Sequence, residues 1–154
     1  MNYLSTHSPI GDITLFADSD KITSLKWGRV KNQRNASDPL LKEAVRQLNA
    51  YFTLHLLTFD LPLAALDTSF QKDVCMLISD IPYGKTCTYQ EIATRLNTSP
   101  RPVGNACSRN PIPIFIPCHR IVGARDLGGY SSPKGIETKY HLLRLEGAEL
   151  TDSL

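Results

Sequence analysis

Thr88-Tyr89-Gln90-Glu91-Ile92-Ala93-Thr94-Arg95-Leu96-Asn97-Thr98-Ser99-Pro100-Arg101-Pro102-Val103-Gly104-Asn105-Ala106-Cys107 reads as two short helices with a tight turn between them. Thr88 and Glu91 form a capping box, because a threonine can accept from the N3 amide while the glutamate reaches back. Tyr89, Ile92, Ala93 and Leu96 then share one helical face. Asn97-Thr98 breaks the helix, and Ser99-Pro100 places an N-cap before a proline at N1, the favoured start of a second one. Val103, Ala106 and Cys107 form its apolar stripe, and it also carries Arg101 and Arg109. The pattern is that of a helix-turn-helix. Taken alone it fits either a DNA-reading element or a packed helix pair with a solvated basic face.

Upstream, Thr68-Ser69-Phe70-Gln71 is another helix start. Phe70, Val74, Leu77, Ile78 and Ile81 continue one face until Pro82-Tyr83-Gly84, and Cys75 lies in this helix as a core thiol. Downstream, Asn110 to Pro117 places three prolines around an apolar run. Proline fixes φ and removes a donor, so this backbone is stiff and non-helical. It delivers Cys118, directly followed by His119 and Arg120. A loop from Gly123 to Gly135 contains Tyr130-Ser131-Ser132. A last helix carries Tyr140, Leu142, Leu143 and Leu145 and stops at Gly147, a residue suited to C′.

The first third of the chain differs in kind. Ile13, Leu15 and Ala17 alternate with polar residues, and Ile22, Leu25 and Trp27 form a second run, with turn residues on either side. This predicts an antiparallel meander. Residues 28–38 read as a polar loop. Leu41, Ala44, Val45, Leu48 and Phe52 mark a helix, and Phe59 to Pro62 an extended exit.

The chain has 154 residues, 42% hydrophobic and 21% charged, with a net charge of +2. These values exclude disordered and fibrous classes. No apolar run approaches the ~20 residues of a membrane span, and the start lacks signal-peptide character, so a soluble cytoplasmic protein is expected, nuclear if eukaryotic. From Lys85 to Arg125 there are six basic residues and one acid. That local excess points either to a polyanion or to a solvated face. The four cysteines, Cys75, Cys87, Cys107 and Cys118, match neither zinc spacing nor a dense disulfide framework.

A cysteine is a nucleophile only as thiolate, so it needs a cation, a histidine or a helix N-terminus nearby. Cys118 has His119 beside it, and Glu146 is a candidate to orient that imidazole. The same residues also fit a buried, inert Cys–His pair.

Ile116-Pro117-Cys118-His119-Arg120-Ile121-Val122-Gly123 resembles the active-site signature of the O6-alkylguanine-DNA alkyltransferases. Ile81 to Thr86 and Thr88 to Ala93 resemble that family's helix-turn-helix entry. Arg101 to Ala106 resembles its recognition helix, Asn110-Pro111-Ile112-Pro113 its asparagine hinge, and Leu142 to Gly147 its closing helix. Order and spacing agree from about Thr68 to Gly147.

The resemblance implies an α/β fold of the α+β kind. A small ribonuclease-H-like antiparallel-sheet domain would span residues 1–64, and a helical domain with a helix-turn-helix residues 67–154. It implies irreversible transfer of the alkyl group from O6-alkylguanine in DNA to Cys118, with O4-alkylthymine a further candidate substrate. His119 would take the thiol proton through a water, Glu146 would orient His119, and Asn110 would brace the active-site loop. Tyr89 would bind guanine N3. Lys139 would support, and Arg101 would enter the duplex in place of the extruded nucleotide. Tyr89, Gly104, Asn105, Ala106 and Arg109 would join Arg101 at the DNA. Ile121, Tyr130, Ser131 and Lys139 would line the base pocket.

A methyl on O6 lies inside the base stack, so the nucleotide must be flipped out, at a cost of a few kcal/mol. The thioether product resists water, so one molecule repairs one lesion. The implied partner is double-stranded DNA containing alkylated bases, met by a monomer, with no cofactor and no membrane. No metal is expected, since the N-terminal region has no cysteine and only His7 and His55. The chain departs from the family at Pro102, at Cys75 and in Ser132-Pro133-Lys134-Gly135, which alters the loop beside Ser131.

Overall fold

The computed structural model describes residues 1–31 and 37–150. Part of the expected 28–38 loop therefore lies outside the described residues. The chain divides into two compact units, Met1–Ala64 and Ala65–Leu154.

In the first unit β1 (Asn2–Thr6), β2 (Ile13–Asp18) and β3 (Lys21–Trp27) form an antiparallel sheet in that order. The meander follows from tight turns, with Gly11 N–H bonded to Ser8 O at the first. Ile13, Leu15, Ala17, Ile22 and Leu25 are buried under Leu41, Ala44 and Leu48 of α1 (Pro39–Phe52). Asp38 caps α1, its carboxylate accepting from the Leu40 and Leu41 amides. Thr14 departs from simple alternation. It is buried, and its hydroxyl is satisfied by Ser5 Oγ at 2.8 Å and by donation to Gly28 O at 2.7 Å. The exit segment adds a parallel bridge from Leu63 to Ile22. Buried Gln47 clamps it, donating to Asp60 O at 3.0 Å and accepting from Asp60 N at 2.9 Å.

The second unit runs α2 (Ser69–Ser79), β4 (Cys87–Thr88), α3 (Tyr89–Arg95), α4 (Pro100–Ser108), β5 (Ile121–Val122) and α5 (Ile136–Leu145). Thr68 caps α2 and Thr88 caps α3 through the Gln71 and Glu91 amides, both at 3.0 Å. The Glu91 carboxylate does not complete the capping box; it accepts from Cys87 Sγ at 3.0 Å. Asn97, with φ +53°, turns the chain between α3 and α4. Ser99 makes no side-chain cap bond. A cap serine bonds the N2 or N3 amide, and Pro102 at N3 has none. β4 and β5 pair in parallel, Cys87 opposite Ile121.

The last helix corrects the expected face. Leu142 and Leu143 are buried, but Tyr140 is exposed, and the buried partners one turn away are Thr138 and Lys139. Gly147 follows as C′, with φ +70°.

Candidate active site

Asn110, where α4 ends, is buried and works in both directions. Its Nδ2 donates to Ile116 O at 2.9 Å and its Oδ1 accepts from Ile112 N at 3.0 Å. These bonds close a tight turn in which Ile114 takes φ +75°. A β-branched residue rarely adopts this conformation, so the turn is strained and must be held by its surroundings. The turn sets down Cys118, His119 and Arg120 as one 3-10 turn, all three buried.

Behind the cysteine lies an ionic cluster. His119 Nε2 meets Glu146 Oε2 at 2.7 Å, and both side chains are fully buried. A carboxylate only accepts, so Nε2 carries the hydrogen and Nδ1 holds the basic lone pair. Nδ1 is buried with no protein hydrogen-bond partner among the described residues. Burial holds the imidazole below its ordinary pKa, against the pull of Glu146. Arg120 also grips Glu146, Nε to Oε1 at 2.8 Å and Nη2 to Oε2 at 3.0 Å, while its Nη1 donates to Ile81 O at 2.8 Å. The Tyr83 ring lies 5.8 Å from that guanidinium. Gly84, with φ +79°, lets the Pro82–Lys85 turn approach so closely that a Cβ would lie 2.9 Å from Glu146 O.

In front of the cysteine is a cavity of about 260 Å³, lined by Tyr89, Gly104, Cys107, Ser108, Cys118, Gly129, Tyr130 and Ser131. Burial pushes the Cys118 thiol up, while the Asn110 side chain and the Lys139 charge pull it down. Burial lowers Lys139 to about 8, against the opposing influence of Cys118, Cys107 and Asp126. Burial pushes the other thiols up as well. Burial places Cys75 at about 11 and Cys107 at about 12; burial and Glu91 place Cys87 at about 11.

The expected residues therefore fall into groups. Cys118, Tyr89, Gly104, Tyr130 and Ser131 line the cavity; His119, Glu146 and Asn110 stand buried around it; Lys139 reaches Gly129 O at 3.0 Å. Ile121 is buried in β5. Arg101, Asn105 and Arg109 are exposed on or just after α4. Ala106 is buried beside Val103, because positions three apart share a face. Gly104 faces the cavity. Arg120, Cys107 and Ser108 were not singled out for the site. Gly104, Cys107 and Ser108 have the i, i+3, i+4 spacing that could have revealed them.

Two family models cover nearly the whole chain. The 6-O-methylguanine DNA methyltransferase ribonuclease-like domain matches residues 1–65, and the DNA binding domain of the same name matches residues 69–148. The chain belongs to the 6-O-methylguanine DNA methyltransferase family.

Two relatives and one solved structure match over nearly the whole of this chain. A methylated-DNA–protein-cysteine methyltransferase of Methanosarcina acetivorans is 41% identical, over 96% of this chain and 99% of the relative. The constitutive Bacillus subtilis protein of that name is 38% identical, over 95% and 96%. The Mycobacterium tuberculosis OGT solved in complex with DNA superposes with a TM-score of 0.83 and 39% identity, over 95% of this chain and 93% of that one.

Proposed function

We propose that the protein repairs O6-alkylguanine in double-stranded DNA by moving the alkyl group onto its own Cys118, once per molecule. The activity is that of its family, a methylated-DNA–protein-cysteine methyltransferase. The observation that carries the assignment to Cys118 is that this thiol opens on the cavity while the adjacent His119 is held by Glu146 behind it.

The chemistry follows from those positions. The Cys118 proton passes through a water to His119 Nδ1, the lone pair left free by the Glu146 bond. The sulfur attacks the alkyl carbon, the S–C bond forms and the C–O6 bond breaks. Negative charge moves into the purine, and Tyr89 donates its phenolic proton to N3. Burial raises Tyr89 to about 12, so the resting phenol is protonated. The Lys139 ammonium, 5.7 Å from the ring centroid, steadies the phenolate that results.

Arg101, exposed at the start of α4, fills the gap left by the flipped nucleotide, with Asn105 and Arg109 on the backbone. Main-chain groups at Ile121 and Ser131 read the base edge beside Tyr130. The protein acts as a monomer in the cytoplasm and needs no cofactor. Among the described residues, no helix is long and apolar enough to cross a membrane.

Exposure to duplex carrying O6-methylguanine, followed by intact-mass and peptide mapping, tests the assignment. One methyl per protein on Cys118 is expected. Methyl on Cys75, Cys87 or Cys107, or several turnovers per molecule, overturns it.

A further inference from the structure

The loop between β5 and α5 is built against Tyr89. Gly128 has φ +73°, and a Cβ there would lie 2.7 Å from both Oη and Cε2 of Tyr89. The opposite edge of the ring faces Gly104, where a Cβ would lie 3.9 Å from Cε1. The phenol is thus wedged, tightly on the loop side and loosely on the α4 side. Bonds at two consecutive residues hold this part of the loop. Gly128 N–H donates to Asp126 Oδ1 at 3.0 Å, and Gly129 O accepts from Lys139 Nζ at 3.0 Å. The exposed Asp126 and the buried Lys139 therefore fix consecutive residues of one strap across the ring.

We propose that Gly128 is a positioning residue for alkyl transfer: the strap that Asp126 and Lys139 hold seats the Tyr89 hydroxyl where it meets N3 of the flipped guanine. The proposal rests on the role given to Tyr89 above. Any L side chain at 128 must displace the phenol or lift the strap, since overlap at 2.7 Å with a half-buried ring wedged between Gly128 and Gly104 is not relieved by a rotamer change of the new side chain. A left-handed φ adds strain of its own. In either case the phenol loses the seat that fixes its hydroxyl at N3, while Cys118, His119 and Glu146 stay in place.

Single-turnover rates on two duplexes test this, one with O6-methylguanine and one with 3-deaza-O6-methylguanine, in which carbon replaces N3. The unaltered protein should prefer the natural base by about tenfold, the effect of one hydrogen bond. Gly128→Ala should slow reaction with the natural base by a similar factor and bring the preference close to one. A merely structural lesion would slow both duplexes alike and keep the ratio. Should Gly128→Ala fail to fold, Asp126→Ala, which frees the strap from an exposed position, should lower the same ratio. An unchanged preference in the variant that folds overturns the proposal alone. No preference in the unaltered protein overturns the N3 role of Tyr89 and the proposal with it.

Discussion

The Glu146 carboxylate accepts from His119 Nε2 and Arg120 Nη2 on Oε2, and from Arg120 Nε and Gly84 N–H on Oε1. A carboxylate so engaged is fixed in place and orients His119 through Oε2. Removing one partner of a buried pair leaves the other charge uncompensated, at about 3–5 kcal/mol. Arg120→Met should therefore destabilise the second unit by that order in urea titrations. Glu146→Gln keeps a hydrogen-bonding side chain but removes the charge, and should slow single-turnover transfer by on the order of a hundredfold, the scale of general-base assistance. His119 makes stability pH-dependent. Its folded pKa lies below the ordinary 6.5, so between those values the unfolded chain binds more protons than the folded one. Stability then falls as pH drops through 6.5 toward the folded value. His119→Gln should flatten that slope between pH 7.5 and 5.5. Lys139 acts in the opposite range. It is charged below about 8 and draws the Cys118 thiol down. Lys139→Met should slow transfer at pH 7 by about tenfold for each pKa unit the thiol gains.

At the scale of elements, the segment from Asn110 to Cys118 is a rigid strut whose strain at Ile114 is held by the Asn110 side chain and by the Ile116 N–H bond to Ile112 O. Asn110→Ala strands the buried Ile112 amide, at about 1–3 kcal/mol, and leaves Ile116 O with the Cys118 N–H as its remaining donor. It should lower the midpoint of thermal unfolding and slow transfer together, because the turn that presents Cys118 relaxes. Helix starts were readable here because a cap is a local event: Thr68 and Thr88 bond amides three residues on. Ser99 and Pro100 likewise start α4 as N-cap and N1, although the Ser99 side chain makes no cap bond. The buried face of α5 was readable from hydrophobicity only at Leu142 and Leu143, since Lys139 is buried with Gly129 O as its partner, Thr138 is buried beside it, and Tyr140 is not buried.

Across the whole molecule, the basic window from Lys85 to Arg125 holds one cation fewer at the surface than its count implies. Arg120 is buried against Glu146, while Lys85, Arg95, Arg101, Arg109 and Arg125 are exposed. DNA affinity should fall with salt at a slope of about −0.9 per phosphate neutralised. Arg101→Ala should weaken repair of duplex far more than reaction with the free alkylated base, since only duplex has a gap to fill. Equal losses on both substrates would remove the role of Arg101 in the duplex.

Periodicity, caps and turn residues were sufficient for the helices and the meander, because hydrogen bonds between near neighbours decide them. The order of motifs around Cys118 was sufficient for the family. The partners of Glu146, the burial of Arg120 and the strap of Gly128 on Tyr89 join residues that are 26 to 62 positions apart or lie on separate elements. Such contacts depend on how α5, the loop before it and the Pro82–Lys85 turn close on one another. That closure is set by burial and charge pairing over the whole second unit, which leave no local signal in the chain.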